Sequence, residues 1–204
     1  MELYILLKMF PIENVVYINL ARRADRREHM DYLLQTYGIE AHRFEAIEHH
    51  NGLYGCGLSH LAVLKMARDK GWERVLIFED DILISVDPGA FIEAISNVLA
   101  RGEFDVFMLD VNLQKSEPAE VDWLIRVKYA HCAGAYIVSK HYYQKLIDLY
   151  EQSLPKLLET GAHWLYANDA CWIYLQKNDN WLTFAPPLCR QMAGYSDTKN
   201  MHIG

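Results

Sequence analysis

Three adjacent carboxylates, Glu79-Asp80-Asp81, follow directly on the apolar run Val75-Leu76-Ile77-Phe78. Neighbouring carboxylates repel one another, and a fold that keeps them needs a compensating cation. Hard oxygen ligands suit a divalent ion, Mn²⁺ or Mg²⁺. An ion held by one or two carboxylates keeps positions open for a diphosphate and stabilises it as it leaves. Side chains alternate along a strand, so Glu79 and Asp81 are expected to face one cleft and Asp80 to point elsewhere. The competing reading is a solvated acidic loop after a buried strand.

The triplet needs a strand behind it, and Arg74 to Phe78 reads as one. Val15 to Leu20 is a second buried strand. Met30, Leu33, Leu34 and Tyr37 recur at helical spacing over 24–37, and Gly38 stops that helix. Ala41 to Ile47 is a strand candidate. Gly52, Gly55 and Gly57 predict a turn, after which Ser59 caps or begins a helix that runs to Lys70. Asp87-Pro88 opens a helix over 88–101. Phe104 to Leu109 is a strand closed by Asp110. Val121 to Tyr129 is a weaker strand and Ala133 to Val138 a stronger one. Helices are expected over 140–152 and 167–176, with a last strand at Trp181 to Phe184 and an irregular tail after Pro186-Pro187. Strand and helix alternate in the first half, which favours a parallel sheet covered on both faces. The second half is less regular, so the α/β sheet is expected to be mixed but mostly parallel. In such a sheet ligands sit beyond the carboxyl ends of the strands, where the triplet lies.

The chain has 204 residues, 51% of them hydrophobic, which suits one domain with one sizeable core. A formal net charge of −7 speaks against a generic grip on nucleic acid. No run reaches the length of a membrane span and the apolar start lacks a basic region and cleavage site, so a cytoplasmic protein is expected, with peripheral contact at the inner membrane face left open. Cys56, Cys132, Cys171 and Cys189 are widely spaced with no paired motif and read as reduced thiols.

Four arginines open the first helix, an unfavourable place for cations unless an anion is near. Arg22 and Arg23, closest to the strand end, are the candidates for a diphosphate; Arg26 and Arg27 read as a solvated face. Asn19 ends its strand and suits a nucleoside or a turn. Backbone N–H groups near Ser59 are placed to meet anionic oxygens, with an ordinary cap as the alternative. Trp164 and Trp172 belong to an aromatic-rich stretch that could stack on a sugar ring or serve the core.

Several segments together resemble glycosyltransferase family 25, whose members include bacterial lipooligosaccharide galactosyltransferases and collagen hydroxylysine galactosyltransferases. Asn19-Leu20-Ala21-Arg22-Arg23-Ala24-Asp25-Arg26-Arg27-Glu28-His29-Met30 resembles its opening motif, and Gly55-Cys56-Gly57-Leu58-Ser59-His60 its second. Leu76 to Asp81 is similar to its metal motif and Ala133-Gly134-Ala135-Tyr136-Ile137-Val138-Ser139 to its fourth. Pro186-Pro187, Gln191 and Ser196-Asp197 resemble its closing segment. The order of the motifs is that of the family, over about residues 15–198.

The resemblance implies a GT-A type, Rossmann-like nucleotide-binding domain, a UDP-sugar donor (commonly UDP-galactose), a divalent metal and inversion at the anomeric carbon. It implies a donor half over about 1–110 and an acceptor half over about 111–204. Asn19, Arg22, Arg23, Ser59, His60, Glu79, Asp80 and Gln191 would then serve the donor, Asp81, Glu79 and Asp197 the metal, and Gly134, Trp164 and Trp172 the acceptor. His202 is a weaker metal candidate. Inversion needs a general base; Asp169 is favoured and Asp110 competes. The acceptor is expected on a lipooligosaccharide or other glycan, with a collagen-type protein acceptor as the alternative. A non-catalytic sugar-nucleotide-binding protein is the second class of reading. A phosphatase is disfavoured because Asp81-Ile82-Leu83-Ile84 lacks the spaced Asp and Thr its nucleophile motif needs.

Overall fold

The computed structural model describes residues 10–196 and 201–203, with the backbone alone at 194–196 and 201–203. An eight-stranded sheet forms its centre. The strands are β1 (Val15–Asn19), β2 (His42–Glu45), β3 (Arg74–Glu79), β5 (Val106–Met108), β6 (Asn112–Pro118), β7 (Leu124–His131), β8 (Ala135–Ser139) and β9 (Trp181–Phe184), in the spatial order β2-β1-β3-β8-β5-β9-β7-β6. The pairs β1–β2, β1–β3 and β5–β9 are parallel and the others antiparallel. Followed across the sheet, those pairings leave β7 and β8 alone running against the remaining six strands. The sheet is therefore mixed and mostly parallel in direction, the GT-A type of fold.

Alternation along β1, β3 and β8 divides the core in two. Val16, Ile18, Ile77, Tyr136 and Val138 face α2 (Gly52–Asp69) and α4 (Tyr143–Thr160). Val15, Tyr17, Leu76, Phe78 and Ile137 face α1 (Ala24–Tyr37) and α3 (Pro88–Arg101). Both faces are covered, which is why β1 and β8 are buried along their whole lengths.

Most expected elements form, with ends set by local chemistry. Gly38 takes a left-handed φ of 62° and its N–H caps α1. Asp87 accepts from Ala90 N at the start of α3, with Pro88 in its first turn. Other expectations need correction. The glycines at 52, 55 and 57 do not make a turn; they lie inside α2, which Asn51 caps by accepting from Tyr54 N. A Cβ at Gly55 would meet Ile47 O at 2.6 Å, and one at Gly57 would meet Leu154 Cδ2 at 2.4 Å. These glycines serve close packing of a loop and of α4 against the helix.

Between the strands expected at 104–109 and 121–129 the chain forms a further one, β6, mostly exposed and paired with β7. The helix expected over 167–176 is broken into a 3₁₀ turn at Ala170–Trp172 and the short α6 (Ile173–Asn178), preceded by α5 (His163–Tyr166). The tail is not irregular throughout. β4 (Ile82–Ile84) pairs antiparallel with β10 (Cys189–Gln191), and β11 (Gly194–Ser196) pairs with β12 (Met201–Ile203). Among the described residues no helix is long and apolar enough to cross a membrane, and Cys56, Cys132, Cys171 and Cys189 are free thiols.

Candidate active site

The carboxyl ends of β1, β3 and β5 meet at one edge of the sheet and deliver Asn19, Glu79-Asp80-Asp81 and Asp110 there. β8 runs the other way, so its start, with Gly134 just before it, joins the same edge. Strand and helix order thus gathers residues from Asn19 to Gly134 into a single cluster. Arg26, in the first turns of α1, points into it. Its Nη1 lies 2.8 Å from Asp80 Oδ1 and 3.1 Å from Asp81 Oδ2. Two carboxylates offset what a cation costs near a helix N-terminus.

The expected facing of the triplet is corrected. Glu79 and Asp80 line a cavity of about 420 Å³ between β1, β3 and the start of α2, whereas Asp81 is not part of that wall. Asp81 sits behind it at 5% exposure. The strand ends at Glu79, so strict alternation does not continue through the next two residues.

Glu79 bridges three elements. Its Oε1 lies 3.2 Å from His60 Nε2 and 3.7 Å from Cys56 Sγ, and its Oε2 accepts from Gln191 Nε2 at 3.2 Å. Asp80 Oδ2 accepts from Asn19 Nδ2 at 2.7 Å. Asn19 Oδ1 accepts in turn from Arg43 Nε at 3.0 Å. Asn19 is 1% exposed and holds Asp80, so its expected contact with a nucleoside is replaced by a bracing role.

Two buried carboxylate oxygens, Asp81 Oδ1 and Asp110 Oδ2, have no hydrogen-bond partner among the described residues. Burial, then the charge of Glu79, pushes the Asp81 carboxyl up to about 7. Burial, then Glu79 and Asp81, pushes Asp110 up to about 7 as well. Orphaned acceptor oxygens in a region of excess negative charge fit a hard divalent cation. The donor set suits Mn²⁺ or Mg²⁺.

Gly134 is tight for a reason internal to the chain. A Cβ there would meet Asp110 Oδ2 at 2.5 Å and Ile82 Cδ1 at 2.8 Å. Its carbonyl accepts from Glu79 N at 2.7 Å. Close approach by an acceptor is not needed to explain this glycine. Cys132, two residues earlier, holds a positive φ of 84°, and its N–H donates to Asp169 Oδ2 at 2.9 Å.

The other expected residues divide. Arg22 lies at the cavity and pairs with Glu48 at 2.8 Å. Arg23 pairs with Asp25 at 2.7 Å. Ser59 is not a cap; it is fully buried inside α2, accepts from Ile47 N and donates to Gly55 O, each at 2.8 Å. His60 is also fully buried, and its Nδ1 meets Tyr136 Oη at 2.8 Å. Trp172 is 0% exposed and packs on Tyr136 and Trp181, so it is core and cannot stack on an acceptor. Trp164 is 64% exposed. Asp197 lies outside the described residues, as does the side chain of His202.

Arg26 was expected on a solvated face, yet it is buried in the cluster; Arg27 alone fits that expectation, 4.0 Å from Asp31 and exposed. The signal for Arg26 was its place one turn into a helix that follows a strand end. Cys56, Arg43 and Tyr136 were not singled out for chemistry, although Cys56 and Tyr136 stand inside quoted motifs.

The profile described as "Glycosyltransferase family 25 (LPS biosynthesis protein)" matches residues 50–160, more than half of the chain. The chain belongs to glycosyltransferase family 25. The match takes in α2, the acidic triplet and β8. A Drosophila melanogaster protein named "Glycosyltransferase 25 family member" is 28% identical over 163 residues; the match covers 63% of this chain and 26% of the fly protein. The chain therefore spans about a quarter of that relative's length. A crystal structure of a glycosyltransferase involved in glycosylation of the major capsid of PBCV-1 is similar at a TM-score of 0.55 and 12% identity, over 92% of this chain and 95% of that one. At that identity the likeness is one of fold. It agrees with the family assignment in fold.

Proposed function

We propose that this family 25 chain is a glycosyltransferase that moves a hexose, galactose, from a UDP-sugar to an acceptor hydroxyl with inversion at the anomeric carbon. The observation that carries the reading is the convergence of Glu79, Asp80, Asp81 and Asp110 on one sheet edge beside the 420 Å³ cavity, with buried carboxylate oxygens left unpaired. A cavity of that size is of the order that holds a small ligand.

In this reading the donor occupies the cavity between Arg22 at its mouth and Glu79 and Asp80 at its floor. Asn51 caps α2 at this edge, and the amides of the following turn favour anionic oxygen. Asp81 and Glu79 would hold Mn²⁺ or Mg²⁺, with Asp197 as a further candidate. Such an ion supplies charge neutralisation of the departing diphosphate. Arg26 offsets part of the repulsion between Asp80 and Asp81, and Asn19 fixes the Asp80 carboxylate.

Asp110 is the proposed base. Its Oδ2 has no hydrogen-bond partner among the described residues, and burial raises its carboxyl above the ordinary value, which favours taking a proton. Asp169 competes less well, because its Oδ2 is committed to the strained Cys132 turn. The half up to about residue 110 is assigned the donor side and the half from about residue 111 the acceptor side, with Gln191 reaching back to Glu79. Trp164, exposed on α5, is an aromatic surface open to an acceptor sugar on a glycan, glycolipid or glycosylated protein.

The test is release of UDP from UDP-Gal, UDP-Glc and UDP-GlcNAc in the presence of Mn²⁺ and no acceptor. Slow release, greatest for UDP-Gal and lost in Asp81→Asn, is expected. Binding of all three donors without release overturns the enzyme reading in favour of a sugar-nucleotide-binding protein. Release that survives Asp81→Asn removes the metal role.

A further inference from the structure

The wall of the donor cavity contains a second set of ligating atoms, of softer character than the acidic triplet. Cys56 Sγ, His60 Nε2 and a carboxylate oxygen of Glu79 all lie within 4.8 Å of one another. Cys56 and His60 stand four residues apart on α2 and so share one helix face, which is turned to the end of β3. All three residues border the cavity, so the cluster is reached from it.

What surrounds the three atoms is as informative as the atoms. His60 meets Tyr136 Oη through Nδ1 at 2.8 Å, which fixes the ring and leaves Nε2 to face the cluster. Glu79 Oε2 is held by Gln191 Nε2 at 3.2 Å, leaving Oε1 toward His60 and Cys56. Asn168 Nδ2 lies 3.6 Å from Cys56 Sγ, and Asn168 Oδ1 accepts from Tyr150 Oη. Each ligand thus has an outer partner that orients it, the arrangement that metal sites use to hold their first shell. Tyr136 is fully buried and stacks nearly parallel to the His60 ring, so the imidazole has little freedom to turn away.

We infer that Cys56, His60 and Glu79 form a binding site for Zn²⁺, distinct in chemistry from the oxygen site at Asp81. One sulfur, one imidazole nitrogen and one carboxylate oxygen are the ligand types zinc takes, and three protein ligands leave a fourth position open to the cavity. On binding, the Cys56 thiol loses its proton to solvent and the thiolate forms the sulfur–zinc bond. Zinc there draws Glu79 away from any second ion and occupies the floor of the donor cavity. The consequence, which rests on the proposed function, is inhibition of transfer that rising UDP-sugar concentration relieves.

The experiment titrates the metal-free protein with Co²⁺ and reads the thiolate-to-cobalt charge-transfer absorption, then adds Zn²⁺ to displace it. One equivalent of signal is expected, lost in Cys56→Ser and kept in Cys132→Ser. Tyr136→Phe keeps the aromatic ring in the core and removes the hydroxyl from His60; it is expected to weaken Zn²⁺ by roughly tenfold or more. The same samples are followed by thermal unfolding, where Zn²⁺ raises the midpoint of the wild type and not of Cys56→Ser. A wild type with no thiolate signal, or a signal that survives Cys56→Ser, overturns the site. The cobalt reading involves no sugar nucleotide. Its failure leaves the proposed transferase standing, and failure of UDP release with the signal intact sinks the transferase alone.

Discussion

Arg26 Nη1 spans Asp80 Oδ1 and Asp81 Oδ2, at 2.8 and 3.1 Å, so that one guanidinium nitrogen on the first helix serves two consecutive carboxylates at the end of a strand. All three side chains are nearly buried. Removing the cation leaves two desolvated charges beside each other. Arg26→Met is expected to destabilise the metal-free protein by about 3–5 kcal/mol. Urea unfolding with and without Mn²⁺ measures this; most of the loss should return when Mn²⁺ is added.

The raised carboxyls set a pH dependence. Asp81 and Asp110 move from an ordinary 3.8 to about 7, and Asp80 moves upward too, in each case chiefly through burial. At these three groups the folded chain therefore binds more protons than the unfolded chain between about pH 4 and 7. The stability these three groups contribute is full below their unfolded value and is lost as pH rises to about 7, whereas Asp25 and Glu79, held below their ordinary values, act in the opposite sense at acid pH. Without divalent metal the unfolding midpoint should drop across this window, by about 2–4 °C for each kcal/mol lost in a chain of this size. Mn²⁺ should flatten the profile at the alkaline end. Asp81→Asn and Asp110→Asn should each flatten it without metal. A midpoint that rises steadily from pH 5 to 8 would contradict the burial of these groups.

The choice of base is settled by comparing two substitutions. Asp110→Asn is expected to lower transfer by about 10²–10⁴-fold, the range for loss of a general base. Asp169→Asn keeps an oxygen for the Cys132 N–H and should cost much less. Steady-state transfer to a hydroxyl acceptor at saturating donor reads both.

The two tryptophans separate core from surface. Trp172→Ala opens a cavity between Tyr136 and Trp181 and should cost about 3–5 kcal/mol. Trp164→Ala should leave stability within about 0.5 kcal/mol while raising the KM for acceptor. Chemical denaturation paired with acceptor titration distinguishes them.

Helix packing gives a further check. Gly57 faces Leu154 closely enough that a methyl at that position collides with it. Gly57→Ala should cost about 1–3 kcal/mol through overpacking, and Leu154→Ala in the same chain should recover part of that loss. Paired unfolding curves give the coupling.

Periodicity and stop signals were enough to read β1, α1, β3 and α3, because each carries a long buried face and a chemical end such as Gly38 or Asp87. The acidic triplet was legible from its place after a buried strand. α2 was misjudged at its start because glycine signals a turn when seen alone, while here Gly55 and Gly57 answer to neighbours distant in sequence, Ile47 and Leu154. Arg26 was misplaced for a related reason: its partners are 54 and 55 positions away. Trp172 and Asn19 show the limit for side-chain roles, since residue type could not tell an aromatic in the core from one at the surface, or a brace from a ligand contact.

The segment after the cis peptide at Ala185-Pro186 returns to the site from outside. Leu188 O takes the amide of Ser85, Cys189 N reaches Leu109 O, Gln191 holds Glu79, and Met192 N meets Asp81 O at 2.7 Å. This late stretch is stitched to the neighbours of both Asp81 and Asp110. Anything joined to the chain beyond residue 192, whether a purification tag, a fluorophore or another protein, thus pulls on a stretch tied by one hydrogen bond to the Glu79 carboxylate and by three backbone bonds to the segments around Asp81 and Asp110. A handle meant to leave this centre undisturbed belongs on the far side of the sheet, at the exposed hairpin of β6 and β7.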